Sequence, residues 1–196
     1  HALLGENGAG KSTLMNALAG LYKPASGTMK VYGETVNFSS PKDAITQGIG
    51  MVHQHFMLVQ NQTVTENILL GLNEPRFRMN LKKYDQKILD LQEQFGLRVD
   101  PAALIWQLSV GEQQRVEILK TLYRGAKILI MDEPTAVLAP QEIDELIHTM
   151  KALVATGKSI VFISHKLQEV TAVADRVTVL RKGLVTAEGL PMGNMT

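Results

Sequence analysis

The 196-residue chain has no cysteine, which removes disulfides, thiol chemistry and cysteine-based metal sites from consideration. It has no long apolar run either. Apolar runs such as Ile128–Met131 and Ile160–Ile163 are the size of buried strands and far short of a membrane span. An excess of one charge is also missing: 20 Lys and Arg face 19 Asp and Glu, for a net charge of +1. That balance speaks against a nucleic-acid partner or a surface for anionic membranes. No short repeat, low-complexity segment or signal peptide is visible. What remains is an ordinary globular composition, 45% hydrophobic, long enough for one domain with a substantial core. The chain opens at His1, almost inside a motif strand. It reads as a fragment lacking an N-terminal part and a C-terminal continuation.

Alternating elements predict an α/β fold. After an apolar start at Ala2–Leu4, a helix should run from Lys11 to near Gly20. A hairpin is expected from Thr28 to Phe38 around Tyr32-Gly33. A short helix should begin at Ser40-Pro41, with Ser as cap, and a strand should cover Ile49–His53. From Thr63 to about Leu108 helical patterns dominate; in Tyr84–Phe95, Ile88, Leu91 and Phe95 share a face. Helices are then expected at Glu112–Tyr123, Pro140–Ala155 and Lys166–Val173. Strands are expected at Ile128–Met131, Ser159–Ile163 and Arg176–Arg181. Such alternation predicts a mostly parallel sheet covered on both faces, with residues 63–108 as an inserted helical subdomain and 1–62 plus 109–196 as the core.

Three stretches carry chemistry. The first is Gly5-Glu6-Asn7-Gly8-Ala9-Gly10-Lys11-Ser12-Thr13, a phosphate-binding loop of the Gly-x4-Gly-Lys-Ser type between an apolar strand and a helix. Phosphate must be wrapped by backbone N–H groups, so the loop turns tightly and carries small residues; the helix start adds further N–H groups and partial positive charge. Lys11 supplies a point charge for the outer phosphates, and the Ser12 hydroxyl suits Mg²⁺. Second, the strand Ile128–Met131 ends in Asp132-Glu133. Asp132 is placed to orient Mg²⁺ and its waters, and Glu133 to polarise an attacking water. A strand ending in surface acids is the plainer alternative, outweighed by the upstream loop. Third, Leu108-Ser109-Val110-Gly111-Glu112-Gln113-Gln114-Arg115 puts Ser109, Gly111 and Glu112 at a helix start. Ser109 caps that helix on the plain reading, and the same free N–H groups suit an external anion.

Together these stretches resemble the ATP-binding-cassette ATPases, across essentially the whole chain. The resemblance implies an α/β phosphate-loop NTPase (RecA-like) core with an inserted α-helical subdomain, truncated at its N-terminus, that binds ATP and Mg²⁺. It also implies that Ser109 and Gly111 close over the γ-phosphate held by a second nucleotide-binding domain in a head-to-tail pair. On the same ground Gln54, in Met51-Val52-His53-Gln54-His55-Phe56, matches the glutamine loop that senses Mg²⁺. His165, in Ser164-His165-Lys166, matches the switch histidine that contacts the γ-phosphate. His53 and His55 have no metal-ligand partners in view and are assigned to structure or surface, and Trp106 to the core or a lobe contact.

The sequence is similar above all to the cytoplasmic ATPase subunits of monosaccharide and nucleoside importers, through Gly5–Met15 and Asp132–Pro140. Val52–Phe56 leans to the nucleoside branch. Such subunits usually carry two cassettes, and the chain resembles the first. The implied setting is the cytoplasmic face of the membrane, with transmembrane permease subunits as direct partners and an extracytoplasmic solute-binding protein as an indirect one. Two other readings stay open: a nucleotide-binding half-site with little turnover, and a soluble cassette outside transport. The span from Lys11 to Ser109 is too short for the long coiled coil of some soluble cassettes.

Three departures from the family pattern are visible. The residue that stacks on adenine is expected upstream of the loop. Val110 stands where many signatures have glycine. Ala139 stands where many have aspartate, at the expected cap of the helix from Pro140, forgoing a cap worth roughly 1 kcal/mol.

Overall fold

The computed structural model describes residues 1–72 and 81–192. A six-stranded sheet organises them. In chain order its strands are β1 (Ala2–Leu4), β4 (Ile49–Val52), β5 (Ile128–Asp132), β6 (Ser159–Ser164), β7 (Arg176–Arg181) and β8 (Leu184–Pro191), while β2 (Met29–Val31) and β3 (Glu34–Val36) form a separate antiparallel hairpin. The spatial order is β4-β5-β6-β1-β7-β8; all neighbours are parallel except β7 and β8. The antiparallel β8 edge has no counterpart in the sequence reading.

Seven helices are described: α1 (Lys11–Leu18), α2 (Pro41–Thr46), α3 (Val64–Leu69), α4 (Leu81–Phe95), α5 (Val110–Tyr123), α6 (Pro140–Ala155) and α7 (Leu167–Val173). Their starts follow from local chemistry. Asp43 takes the Ser39 and Ser40 N–H groups at 2.8 and 3.0 Å, ahead of Pro41 at the first turn of α2. Thr63 and Glu66 exchange hydrogen bonds at the start of α3, and Ser109 and Glu112 do so at α5.

Both faces of the sheet are covered, because alternate strand residues point opposite ways. Ile130 and Ile163 face one cluster with Met15 of α1, Phe38 and Ala44 of α2. Leu129, Met131 and Phe162 face the other, larger cluster, under α3 to α7. Residues of the 63–108 segment, among them Ile68, Ile88 and Ile105, pack into that same larger cluster. A bridge from Thr63 to Leu104 and neighbouring backbone bonds, such as the Ile105 N–H on the Gln62 carbonyl at 3.1 Å, bring the two ends of the segment together. Ile88 and Phe95 are buried and Leu91 packs beside them, as the shared face predicts; part of the segment, 73–80, lies outside the described residues. Trp106 departs from expectation. It is 62% exposed, because the short 3₁₀ turn Ile105–Gln107 turns Ile105 inward and Trp106 out.

Candidate functional site

The site forms at the C-terminal edge of the parallel strands. The loop 5–10 leaves β1 and enters α1, with Gly8 at φ 79 and Gly10 at φ 96, left-handed angles that suit glycine. Gly5 is needed for a different reason: a Cβ there would strike the Leu180 carbonyl of β7. The Gly183 N–H binds the Ala9 carbonyl at 3.0 Å, so the β7–β8 turn supports the loop from behind. Gly10 ends the loop as the cap residue of α1 and offers no side chain, which leaves the first N–H groups of α1, those of Lys11, Ser12 and Thr13, without intrahelical partners. Asn7, Ser12 and Thr13 are exposed. Lys11 is buried and its Nζ donates to the carbonyls of Gly5 and Glu6, at 2.7 and 2.9 Å. A cation held inside its own loop in this way marks a cradle shaped for an anion.

Opposite the loop, β5 delivers Asp132. Its Oδ1 accepts a hydrogen bond from the Ser12 hydroxyl at 3.3 Å, joining the loop to the acidic strand end. Burial pushes the Asp132 carboxyl above its ordinary range and the negative Glu133 adds to the push, against the Ser12 bond and the positive Lys11. A carboxylate that is uncomfortable when charged is one that a nearby cation relieves. Among the described residues no group of three or more His, Asp or Glu could hold a metal alone. Ser12 and Asp132 suit a cation such as Mg²⁺, which takes few protein ligands and completes its shell with phosphate oxygens and water.

Glu133 has φ 44, a left-handed angle costing on the order of 1 kcal/mol for a residue with a side chain. Its N–H is held by the Ile163 carbonyl of β6 at 3.2 Å, and its Oε1 lies 3.2 Å from Nδ1 of His165. His165 is exposed, on the turn after β6. Gln54 is exposed two residues beyond Val52, whose register partner in β5 is Met131; it stands at the same sheet edge as Asp132.

Lys11, Ser12, Asp132, Glu133 and His165 are thus brought together. Ser109, Gly111 and Glu112 are not part of that cluster. Ser109 and Glu112 bond each other, with the Glu112 N–H on Ser109 Oγ at 3.2 Å and the Ser109 N–H on Glu112 Oε2 at 2.8 Å. Val110 is the first residue of α5 and no left-handed angle occurs there, so its branched side chain fits.

Sequence reasoning missed one member of the site. Glu169, on α7, accepts the Thr135 hydroxyl at 2.6 Å and the Ser164 hydroxyl at 3.1 Å on one oxygen, and pairs with Lys166 Nζ at 3.0 Å through the other. Thr135 follows Glu133 by two residues, and Ser164 and Lys166 flank His165. Burial opposes ionisation of Glu169, but the bonds from Thr135, Lys166 and Ser164 outweigh it and hold its carboxyl below the ordinary range. The one sequence signal is a carboxylate in the first turn of a helix beginning just after His165.

Residues 1–136 match the ABC transporter family. The chain belongs to that family. Over 93% of its length it is 62% identical to the nucleoside import ATP-binding protein NupA of Lactococcus lactis subsp. cremoris. It is 59% identical to the guanosine import ATP-binding protein NupO of Bacillus subtilis, again over 93% of its length. The chain spans 36% of the length of each of these relatives. Among solved structures, cbiO1 from Clostridium perfringens, part of the ABC transporter complex cbiONQ, aligns with TM-score 0.82 at 27% identity, covering 98% of this chain and 77% of that one. The dimeric post-hydrolysis state of the ATP-binding cassette MJ0796 with ADP and Pi aligns with TM-score 0.80 at 26% identity, covering 99% and 85%. The fold is that of an ABC ATPase cassette, as the sequence motifs predict. No helix among the described residues is long and apolar enough to cross a membrane.

Proposed function

We propose that this ABC cassette binds and hydrolyses ATP with Mg²⁺ and thereby energises an importer for simple sugars or nucleosides. The observation that carries the reading is the convergence of Lys11, Ser12, Asp132, Glu133 and His165 at one sheet edge. The names of the similar import proteins support the importer assignment.

On ATP binding, Lys11 would exchange the Gly5 and Glu6 carbonyls for phosphate oxygens, while the N–H groups of the loop and of the first turn of α1 surround them. Ser12 and Asp132 would hold Mg²⁺, with Gln54 reaching it from the neighbouring strand end; the ion supplies charge neutralisation at the phosphates. Glu133 accepts a hydrogen bond from the attacking water and draws off its proton, and His165 steadies the γ-phosphate as charge moves. Ser109, Gly111 and Glu112, held at the start of α5, would serve the nucleotide of a second cassette in a head-to-tail pair. Transmembrane permease subunits are the direct partners and a solute-binding protein the indirect one, with the cassette on the cytoplasmic face of the membrane.

A second reading, a half-site that binds ATP but turns it over slowly, is favoured by Ala139, which brings no polar side chain to the loop after the acidic pair. Steady-state ATP hydrolysis by the complete protein with its permease separates the two, through Glu133→Gln. A fall of about 100-fold or more places turnover at this cassette. Retained activity assigns hydrolysis to the partner site.

A further inference from the structure

Glu142 belongs to none of the motifs above, yet its carboxylate joins the starts of two helices. Oε1 accepts the Gly111 N–H of α5 at 3.0 Å, and Oε2 accepts the Ala139 N–H ahead of α6, also at 3.0 Å. Neither donor has an acceptor within its own helix, and the positive ends of both helices converge on the one negative group. The arrangement depends on glycine at 111. Its φ is not left-handed, so conformation does not demand glycine; a Cβ there would lie 2.6 Å from Glu142 Oε1. A larger residue would drive the carboxylate away.

The same helix grips the other end of the same loop. Gln114, almost one turn along α5 and buried, donates from Nε2 to the Pro134 carbonyl at 2.7 Å. The segment 134–139 is therefore pinned to α5 at both ends, and Glu133 stands immediately before it. Arg115 of α5 and Glu145 of α6 add an ion pair at 3.2 Å, too exposed to contribute much.

We propose that Glu142 is a positioning residue that makes the start of α5 and the loop after Glu133 one rigid unit, so that a displacement of the Ser109 end is transmitted to Glu133. Ala139 lacks the side chain for such a link, and Glu142 provides it from three residues further on. Where the Ser109 end closes over a partner's nucleotide, occupancy of that distant site then sets the position of this chain's own Glu133. The proposal rests on the reading that Glu133 serves hydrolysis.

The test uses the complete protein with its permease and reads ATPase kinetics, the thermal midpoint, and amide hydrogen exchange in peptides covering 109–114 and 134–139. Glu142→Ala should lower kcat roughly 10-fold while the KM for ATP stays within about two-fold, because the nucleotide cradle is untouched. Exchange should rise in both peptides. Adding Ala139→Ser supplies a side-chain cap to α6, and should recover the thermal midpoint without recovering kcat or the Gly111 exchange. Recovery of kcat along with the midpoint would overturn the proposal, since Glu142 would then be only a cap. So would unchanged exchange at Gly111. If Glu142→Ala does not fold, Glu142→Gln, of the same size with one acceptor oxygen left, must raise exchange at one of the two amides. A wild type without turnover would defeat the hydrolysis reading instead, and the exchange results would still decide the role of Glu142.

Discussion

Replacing Glu169 with alanine should cost this chain about 3 kcal/mol of stability, a large share of a typical domain's total. The figure follows from its three partners. Thr135 and Ser164 are 7% and 3% exposed, so their hydroxyls have no water to turn to once the carboxylate is gone. A hydrogen bond to a charged group is worth roughly 1.5–3 kcal/mol net. Because both hydroxyls share one oxygen of Glu169, their contributions overlap and together come to about 3 kcal/mol rather than the full sum. Lys166 is 43% exposed and its ion pair adds at most a few tenths, about 0.3–0.5 kcal/mol. Glu169→Gln keeps an acceptor of the same shape and should lose about half as much, roughly 1–2 kcal/mol. Urea unfolding followed by circular dichroism measures both. The pH dependence is a second check. The Glu169 carboxyl is held below its ordinary value of 4.5, so its contribution is complete above that value and is lost as pH falls through the lower folded value. The gap between wild type and Glu169→Gln should accordingly be constant near neutrality and narrow in acid below 4.5. A Glu169→Ala variant within about 0.5 kcal/mol of wild type, the range of an inert surface change, would refute the reasoning.

Asp132 has the opposite sign. Its carboxyl is raised chiefly by burial, so it favours the folded state below its ordinary value of 3.8, and that contribution is lost as pH rises through the higher folded value. Asp132→Asn should therefore raise the thermal midpoint of the nucleotide-free protein at neutral pH, even as it weakens the response to Mg²⁺; a lowered midpoint would count against the burial argument. Ala139→Ser alone should add about 1 kcal/mol by capping α6, visible as a shifted urea midpoint with an unchanged slope.

How far the sequence could be read depended on whether the signal was local. Helix α6 begins at Pro140 and ends at Ala155, as expected, because proline at its first turn and Gly157 beyond its end fix it from within. The Ser109 cap, the buried β5 run and the glycine loop are local in the same sense, and so were legible. Strand β8 was not: all but two of its residues are exposed and it holds its shape only by pairing with β7. Trp106 was misplaced because the turn that faces Ile105 inward leaves nothing for its neighbour to cover. Glu169 and Glu142 look like ordinary helix-face carboxylates in sequence. Each also has near partners, but the ones that tie separate elements together, Thr135 and Gly111, lie 34 and 31 positions away, and only the folded chain reveals those links.

The place of β1 in the sheet has a consequence for the order in which the molecule is completed. Three residues long, it lies between β6 and β7, with Ala2 opposite both Phe162 and Val177. The strand that carries the phosphate loop is synthesised well before both of its partners, for its neighbours in the described sheet, β6 and β7, follow more than a hundred residues later. Closing so long a loop is slow in folding. Nucleotide affinity in a growing chain should therefore switch on late and abruptly, when β6 and β7 flank Ala2–Leu4. A ribosome-bound series of increasing length would then gain ATP protection in one step once Arg181 has cleared the exit tunnel, rather than gradually from the loop's first appearance.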